Sequence, residues 1–352
     1  MKTISRLFVI ALAATSAAML LTAGAAEPPR PSLNVPCTKL ASATSPARFF
    51  TTAIVARDAA FETIRATRQQ PDDYAIRQTG GMTCEWSNGV GDGYFGDPAA
   101  WRGVRLELLP DGAAPFARFA AASGVTGTEL LYCVTVFGVI SCYYDGLVDG
   151  DWLSLHAQGV RSDSEGRTLM AKFRDAVRLG RPTGLPAWAP PVGTMPLPST
   201  CDGLVAIGAV EAAFASRLPL EAFPGERIGS TPAHGARERI GSATCTWLGR
   251  GTWASAGTLA TLPGGAWAWA ESRSRFVPPS ALTAVAIPRL RSGDEAWVRC
   301  DLPRQNCYLD LIIGGNWISM YANPEEGAGL VRADRRDALI FIATQIVAGL
   351  YP

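Results

Sequence analysis

Histidine is almost missing from this chain: its 352 residues contain two, His156 and His234. That scarcity excludes a histidine-rich metal site and confines any histidine catalysis to one of two residues. No Cys-x-x-Cys occurs, so the usual spacing of zinc and dithiol redox sites is absent as well. Neither charge sign is in excess, since 32 Lys and Arg stand against 31 Asp and Glu. A chain so close to neutral offers neither a nucleic-acid surface nor a polybasic membrane patch. Gly-x-Ser-x-Gly, His-Glu-x-x-His, Ser-x-x-Lys with a later Lys-Thr-Gly, and a phosphate loop are all absent. Beyond the N-terminus no stretch is apolar over the roughly 20 residues that a bilayer span needs, so no transmembrane segment is expected in the mature chain.

The N-terminus has the pattern of a secretory signal peptide. Lys2 and Arg6 precede an apolar run from Leu7 to Leu21, and Ala23-Gly24-Ala25 supplies a small-x-small cleavage site. The signal is therefore expected at 1–25. The rival reading, an uncleaved anchor, has a run shorter than a full span. No cysteine follows the run closely, which argues against a lipid-modified N-terminal cysteine. An exported chain with eight cysteines is expected to form disulfides. Arg far outweighs Lys, and Ala, Gly and Pro are abundant, as in a GC-rich bacterial coding sequence.

What the chain does contain is an internal repeat. Cys37, Cys84, Cys133 and Cys142 recur as Cys201, Cys245, Cys300 and Cys307. Thr83-Cys84-Glu85-Trp86 matches Thr244-Cys245-Thr246-Trp247, and the segment from Trp152 to Ala157 matches that from Trp317 to Ala322. A repeat this long predicts two copies of one domain. The boundaries follow from proline: a Pro-rich leader at 26–36, copy one at 37–180, a Pro-rich linker at 181–200 and copy two at 201–352.

Within each copy the pattern predicts α-β-β-α-β-β-β-α. Helices are expected at 46–68 and 203–217, short helices at 113–123 and 265–275, and a closing helix in each copy. That last helix lines up Met170, Phe173, Val177 and Gly180 with Leu339, Ile342, Ile346 and Gly349, each glycine serving as a left-handed stop. The expected fold class is α+β: two similar domains, each a mainly antiparallel sheet with helices packed on one face and two disulfides. An insertion near 275–290 in the second copy is expected to add an edge strand.

Cysteine spacing predicts the pairing. Cys133 and Cys142 flank the midpoint Phe137-Gly138, and Cys300 and Cys307 flank Pro303-Arg304. Residues equidistant from a two-residue turn face each other on the same side of a hairpin. Hence Cys133–Cys142 and Cys300–Cys307 are expected, leaving Cys37–Cys84 and Cys201–Cys245.

Candidate chemistry is sparse. His156 aligns with Tyr321, so that position reads as packing rather than as a general base. His234, in Pro232-Ala-His-Gly235, reads as a surface loop residue. Gly89-Val-Gly-Asp-Gly93 reads as a turn, and Asp92 with Asp97 as a weak calcium-loop alternative that lacks EF-hand spacing. No carboxylate pair recurs in both copies, and no catalytic residue, metal ligand or cofactor is assigned. Trp86/Trp247, Trp101/Trp253 and Trp152/Trp317 recur and read as core. The unmatched aromatics Tyr94, Phe95, Phe137 and Trp188 are the candidates for binding.

Cys-x-x-Leu, then Thr-Cys-x-Trp, then a cysteine hairpin resembles small exported domains of actinobacteria, often lipoproteins of unknown function. The four-cysteine pattern is also similar to the extracellular sensor domain of PknH-type receptor kinases. The resemblance covers each repeat in outline, and implies an α+β fold with two disulfides per domain and ligand binding or sensing at the cell envelope. The chain departs from it in lacking a lipobox and a kinase domain. The leading expectation is an exported, non-enzymatic tandem binding or sensor-like module, extracellular or cell-wall associated, whose partner is an envelope ligand or protein. The alternatives are an envelope hydrolase with a site between the domains, and a structural or inhibitory protein-interaction module.

Overall fold

A computed structural model describes residues 27–59, 71–90, 100–136, 138–180, 182–224, 231–252, 254–274, 282–301, 306–322 and 334–352. The expected signal peptide lies outside these residues. So do Asp92, Tyr94, Phe95, Asp97, Phe137, Trp253 and the 275–281 part of the insertion.

The fold is α+β, with two antiparallel sheets. The first contains β1 (Val55–Arg57), β2 (Met82–Ser87), β3 (Gly103–Leu109), β4 (Glu129–Val136), β5 (Val139–Val148) and β6 (Asp151–Gln158), in the order β1-β2-β3-β6-β5-β4. The second contains β7 (Leu220–Pro224), β8 (Thr244–Gly249), β9 (Ser255–Leu262), β10 (Thr283–Ala284), β11 (Glu295–Asp301), β12 (Asn306–Ile313) and β13 (Asn316–Ala322). Its order, β7-β8-β9-β13-β12-β11-β10, repeats that of the first sheet and adds one edge strand. That strand, β10, comes from the described part of the expected insertion and pairs with β11. The last hairpin of each sheet turns on two left-handed residues, Asp149 and Gly150 in one and Gly314 and Gly315 in the other. Such turns match the twist of the flanking strands.

All four disulfides form as the spacing predicts. Cys133 lies directly opposite Cys142, and Cys300 opposite Cys307, each with Cα atoms 4.1 Å apart. That is the close, non-hydrogen-bonded pair of an antiparallel ladder.

Each sheet has an outer core. In the first half, α1 (Cys37–Thr44) and the closing helix α4 (Asp163–Arg178) pack Leu40, Leu169, Met170, Phe173 and Val177 against Cys84, Trp86, Leu106 and Leu155. Ser162 caps α4 by accepting from the Glu165 N–H, the capping-box spacing. Gly166 is needed where α4 crosses the hairpin, because a Cβ there would overlap Cys142 Sγ. In the second half, α5 (Cys201–Leu204), α6 (Ile207–Phe214) and α9 (Arg335–Leu350) cover Cys245, Trp247, Leu259 and Leu311 in the same way.

Several expectations need correction. The expected helix over 46–68 does not run through 46–58: α1 has ended at Thr44, one 3-10 turn spans Pro46–Phe49 and β1 follows, with 60–70 outside the described residues. Proline at 46 follows a left-handed Ser45, and together they end α1. The expected 203–217 helix is split into α5 and α6 by extended Val205 and Ala206. Neither Gly180 nor Gly349 is left-handed, and Gly349 lies inside α9. The expected order also lacked α2 (Asp72–Gln78), α7 (Pro232–Ile240) and the strands β1 and β7. The short helices α3 (Ala113–Ser123) and α8 (Ala266–Ser274) fall where expected. Among the described residues, no helix is long and apolar enough to cross a membrane.

Helices cover both faces of the sheets, not one. A third core joins the two halves through α2, α3, α7 and α8. Tyr74 of α2 meets Trp267 and Trp317 edge-on, with ring centroids 5.5 and 5.8 Å away. Phe116 and Phe119 of α3 pack on Trp152. Polar contacts cross the seam reciprocally. Gln78 of α2 donates to the Pro263 carbonyl at 2.9 Å, and Arg239 of α7 donates to the Pro110 carbonyl at 2.8 Å. Arg77 grips Glu271 through two bonds of 2.9 and 3.0 Å and lies over the Trp267 ring. Leader and linker are tied together as well, through a bridge between Leu33 and Pro182.

Two outcomes follow. Replacing Cys37 and Cys84 together by serine should cost about 4 kcal/mol, and replacing Cys133 and Cys142 about 2.5 kcal/mol, read from denaturant unfolding. Equal costs would show that loop length does not set the stabilisation. Because Trp317 stands in a shared core, Trp317→Ala should cost about 3–5 kcal/mol and should lower a single transition for both halves. Two separated transitions would contradict a common seam.

Candidate functional site

The inner face of the first sheet is where its polar and aromatic residues meet. Alternation along the strands puts Met82, Cys84 and Trp86 outward and Glu85 inward, and does the same for each neighbouring strand. Register then aligns one row across five strands: Glu85, Arg105, His156, Tyr143 and Tyr132. Three of these rings stack in sequence. Tyr132 lies 5.0 Å from Tyr143, and Tyr143 lies 4.6 Å from His156, nearly parallel at 5°. Trp101 closes the far side of His156 at 5.3 Å. Beside the rings, Arg105 pairs with Glu107 at 3.3 Å and with Glu85 at 3.9 Å. The row ends at Tyr132, which is 40% exposed on β4 next to equally exposed Val134.

His156 is half-buried in this stack, and its Nε2 is buried with no hydrogen-bond partner. Burial, and secondarily the Arg105 charge, pull its pKa down to about 4, so it is neutral near pH 7. The same row of the second sheet stacks Tyr321 on Tyr308 at 4.9 Å, with the Arg299 guanidinium 4.7 Å from the Tyr308 ring. His156 therefore stands where the other half has a packed tyrosine.

One pleat away lies a polar constellation that sequence reading missed. Trp152 Nε1 donates to Asp145 at 3.2 Å, and Ser154 bonds the same carboxylate. In the second sheet Trp317 Nε1 donates to Asp310 at 2.9 Å and Ser319 Oγ donates at 2.7 Å. Burial raises the pKa of Asp145 to about 7, against the pull of the Ser154 and Trp152 bonds. Asp310 is raised for the same first reason, with Ser319, Trp317 and Arg299 opposing. The sequence signal was present: Asp, then Trp seven residues on and Ser nine residues on, occurs in both halves. Both tryptophans belong to the seam core, so the carboxylates orient the rings that join the halves.

His234 is not in a loop. It lies in the first turn of α7, whose start is fixed by the Thr231 cap. A cleft of about 340 Å³ beside it is lined by Thr200, Asp202, His234, Arg237, Glu238 and Thr244, among others. Arg237 contacts His234 Nδ1 at 3.4 Å, and His234 Nε2 lies 3.3 Å from Glu238. An arginine can only donate, so Nδ1 accepts and Nε2 carries the proton toward Glu238. Three of the cleft hydroxyls are already engaged. Thr244 accepts from Arg237, Thr200 caps the Gly203 N–H, and Ser242 donates to the Thr261 carbonyl.

Of the expected binding residues, Tyr94, Phe95 and Phe137 lie outside the described residues. Trp188 is half-buried, edge-on to Trp267 at 6.4 Å, and donates to the Glu27 carbonyl at 3.0 Å. It ties the linker to the seam. Trp86, Trp247, Trp152, Trp317 and Trp101 are all buried.

No family model and no curated protein matches the chain. Among solved structures, DynU16, a protein of the dynemicin biosynthetic locus, aligns at 10% identity over 84% of this chain and 96% of its own, with a TM-score of 0.15. A superposition that weak carries no structural argument.

The two shifted groups act in opposite directions on stability. The native state holds a proton on Asp145 up to about pH 7, whereas an ordinary aspartate loses it near 3.8, so this group stabilises at low pH and less as pH rises through that window. The native state keeps His156 neutral down to about 4 against an ordinary 6.5, so this group's contribution falls as pH drops between those values. Relative to the parent chain, Asp145→Asn should therefore gain stability with rising pH, and His156→Tyr with falling pH. Thermal melts between pH 4 and 7.5 give the result; curves parallel to the parent would remove both assignments.

Proposed function

We propose that this chain is an exported, non-enzymatic tandem binding module that acts at the cell envelope or outside the cell. It is built from two copies of one disulfide-stapled domain, 37–180 and 201–352, behind a signal peptide that ends at Ala25. One observation carries the binding reading. The stacked row on the first sheet ends in an exposed Tyr132 beside an exposed Val134, on a hairpin strapped by Cys133–Cys142. A rigid apolar platform of that kind costs little ordering entropy when it is covered, as recognition surfaces require.

Duplication is supported by the shared strand order, by the reciprocal bonds of Gln78 and Arg239, and by the recurring Asp-Trp-Ser constellation. Export fits four disulfides. The hydrolase alternative needs a nucleophile within hydrogen-bond reach of a base. Nε2 of His156 has no such partner, and His234 is held between Arg237 and Glu238.

The test uses residues 26–352 with insoluble peptidoglycan, with phosphatidylglycerol vesicles and with fluorogenic ester, amide and glycoside substrates. Saturable binding to an envelope component, weakened about tenfold by Tyr132→Ser, is expected, without turnover. Turnover that His156→Tyr or His234→Ala abolishes would establish the hydrolase instead.

A further inference from the structure

Four strands end the two sheets among the described residues, β1, β4, β7 and β10, and three of these are protected. β1 is three residues long and β10 two, and β7 finishes on Pro224. β11 is covered by β10, through Thr283 opposite Val298, Ala284 opposite Trp297, and a 2.9 Å bond from the Val285 N–H to the Ala296 carbonyl. Shortness, proline and cover are the usual protections of an edge. β4 has none of them. It runs eight residues without proline and is terminal in the strand order.

Register says which backbone groups β4 turns outward. Cys133 and Cys142 form a close, non-hydrogen-bonded pair, so Cys133 points its N–H and carbonyl away from β5. By the two-residue period, Leu131 and Thr135 do the same. Arg167 of α4 donates to the Leu131 carbonyl at 3.4 Å, which leaves the stretch from Cys133 to Thr135 facing no strand of the described residues. Tyr132 and Val134 flank it on the inner face, each 40% exposed. The disulfide and the Tyr132–Tyr143 stack hold the edge rigid before anything binds.

We infer that this β4 edge docks an extended peptide segment of a partner protein as an added antiparallel strand. The inference rests on the binding reading above and names the partner of that same surface. The second sheet supplies a precedent, since β11, the counterpart of β4, is paired at Trp297 and Val298, the places of Leu130 and Leu131, by an uncharged segment, Leu282–Val285, of apolar and small residues; the β4 site lies two residues further along. The partner segment should likewise be uncharged, free of proline at its paired positions, and apolar or β-branched at the alternate positions that lie beside Tyr132 and Val134. Backbone bonds to Cys133 and Thr135 would supply affinity, and the two flanking side chains selectivity.

The probe is the hexapeptide Leu-Thr-Ala-Val-Ala-Ile, the sequence of residues 282–287, titrated into the chain 26–352. Hydrogen exchange is read by mass spectrometry on the fragments covering β4 and β11. Exchange in β4 should slow about tenfold while β11 is unchanged. A hexapeptide with proline at its third position should have no effect. Thr135→Pro removes one outward N–H and no bond to β5, so it should abolish the protection. Val134→Lys tests the same edge with the backbone intact and should weaken it. Protection at β11 alone, or equal protection by the proline peptide, overturns the inference. So does a dimer in light scattering whose β4 is already protected without peptide, since a second copy would then fill the edge. Loss of peptide binding with envelope binding retained removes the strand-docking inference alone. Peptide binding without any envelope ligand removes the broader reading and leaves the edge.

Discussion

The inner faces of both sheets carry aromatic side chains that neither sheet can bury alone. Trp152 and Leu109 face inward from one, and Trp317, Leu262 and Ile312 from the other. Exposed, each such ring would forfeit about 1.5–3 kcal/mol of burial. The chain resolves this by inserting α2 and α7 between the sheets, where Tyr74 meets the tryptophans and Gly235 lets α7 come close to Leu109 and Pro115. Much else follows from that seam. The buried aspartates hold the tryptophan rings in place, Arg77 and Arg239 span the boundary, and the linker returns to lay Trp188 against it.

The seam also separates the two ends of the first sheet's inner face. Near Leu109 and Glu107 the face is covered by α7, whose Ala233 N–H contacts Glu107. Toward β4 the row leads instead to the exposed Tyr132. The second sheet follows the same strand order, yet there Arg299 takes the corresponding place and β10 closes the edge. The two halves share a scaffold and differ where a partner could reach them. Where two halves share a strand order, an unmatched feature is the place to look for function, because a shared one is already explained by folding.

Legibility in the sequence followed the range of the interaction. Cysteine pairing could be read because opposition across a tight hairpin is a matter of parity, and Cys133–Cys142 and Cys300–Cys307 obey it. The helices at Ala113–Ser123 and Ala266–Ser274 could be read from the turn that precedes each. By contrast α2 and α7 show little apolar periodicity, since Asp72–Gln78 and Pro232–Ile240 bury residues against the opposite half. For that reason the segment around His234 reads as a loop along the chain, although it is helical in the fold. The Asp-Trp-Ser spacing was visible, but its meaning depends on burial, which turns an ordinary surface aspartate into one with a pKa near 7.

Sequence alone thus determined what local geometry controls: the alternation that gives each strand two faces, the disulfide pairing, and the recurring four-cysteine pattern. Tertiary structure decided which faces would be covered, since burial is a sum over contacts from distant segments. It made His156 a neutral member of a ring stack, tied His234 to Arg237 and Glu238, and left one long sheet edge open at β4 among the described residues while covering its counterpart. No pattern along the chain marks that difference, because an edge is open or closed only by what lies beside it in space.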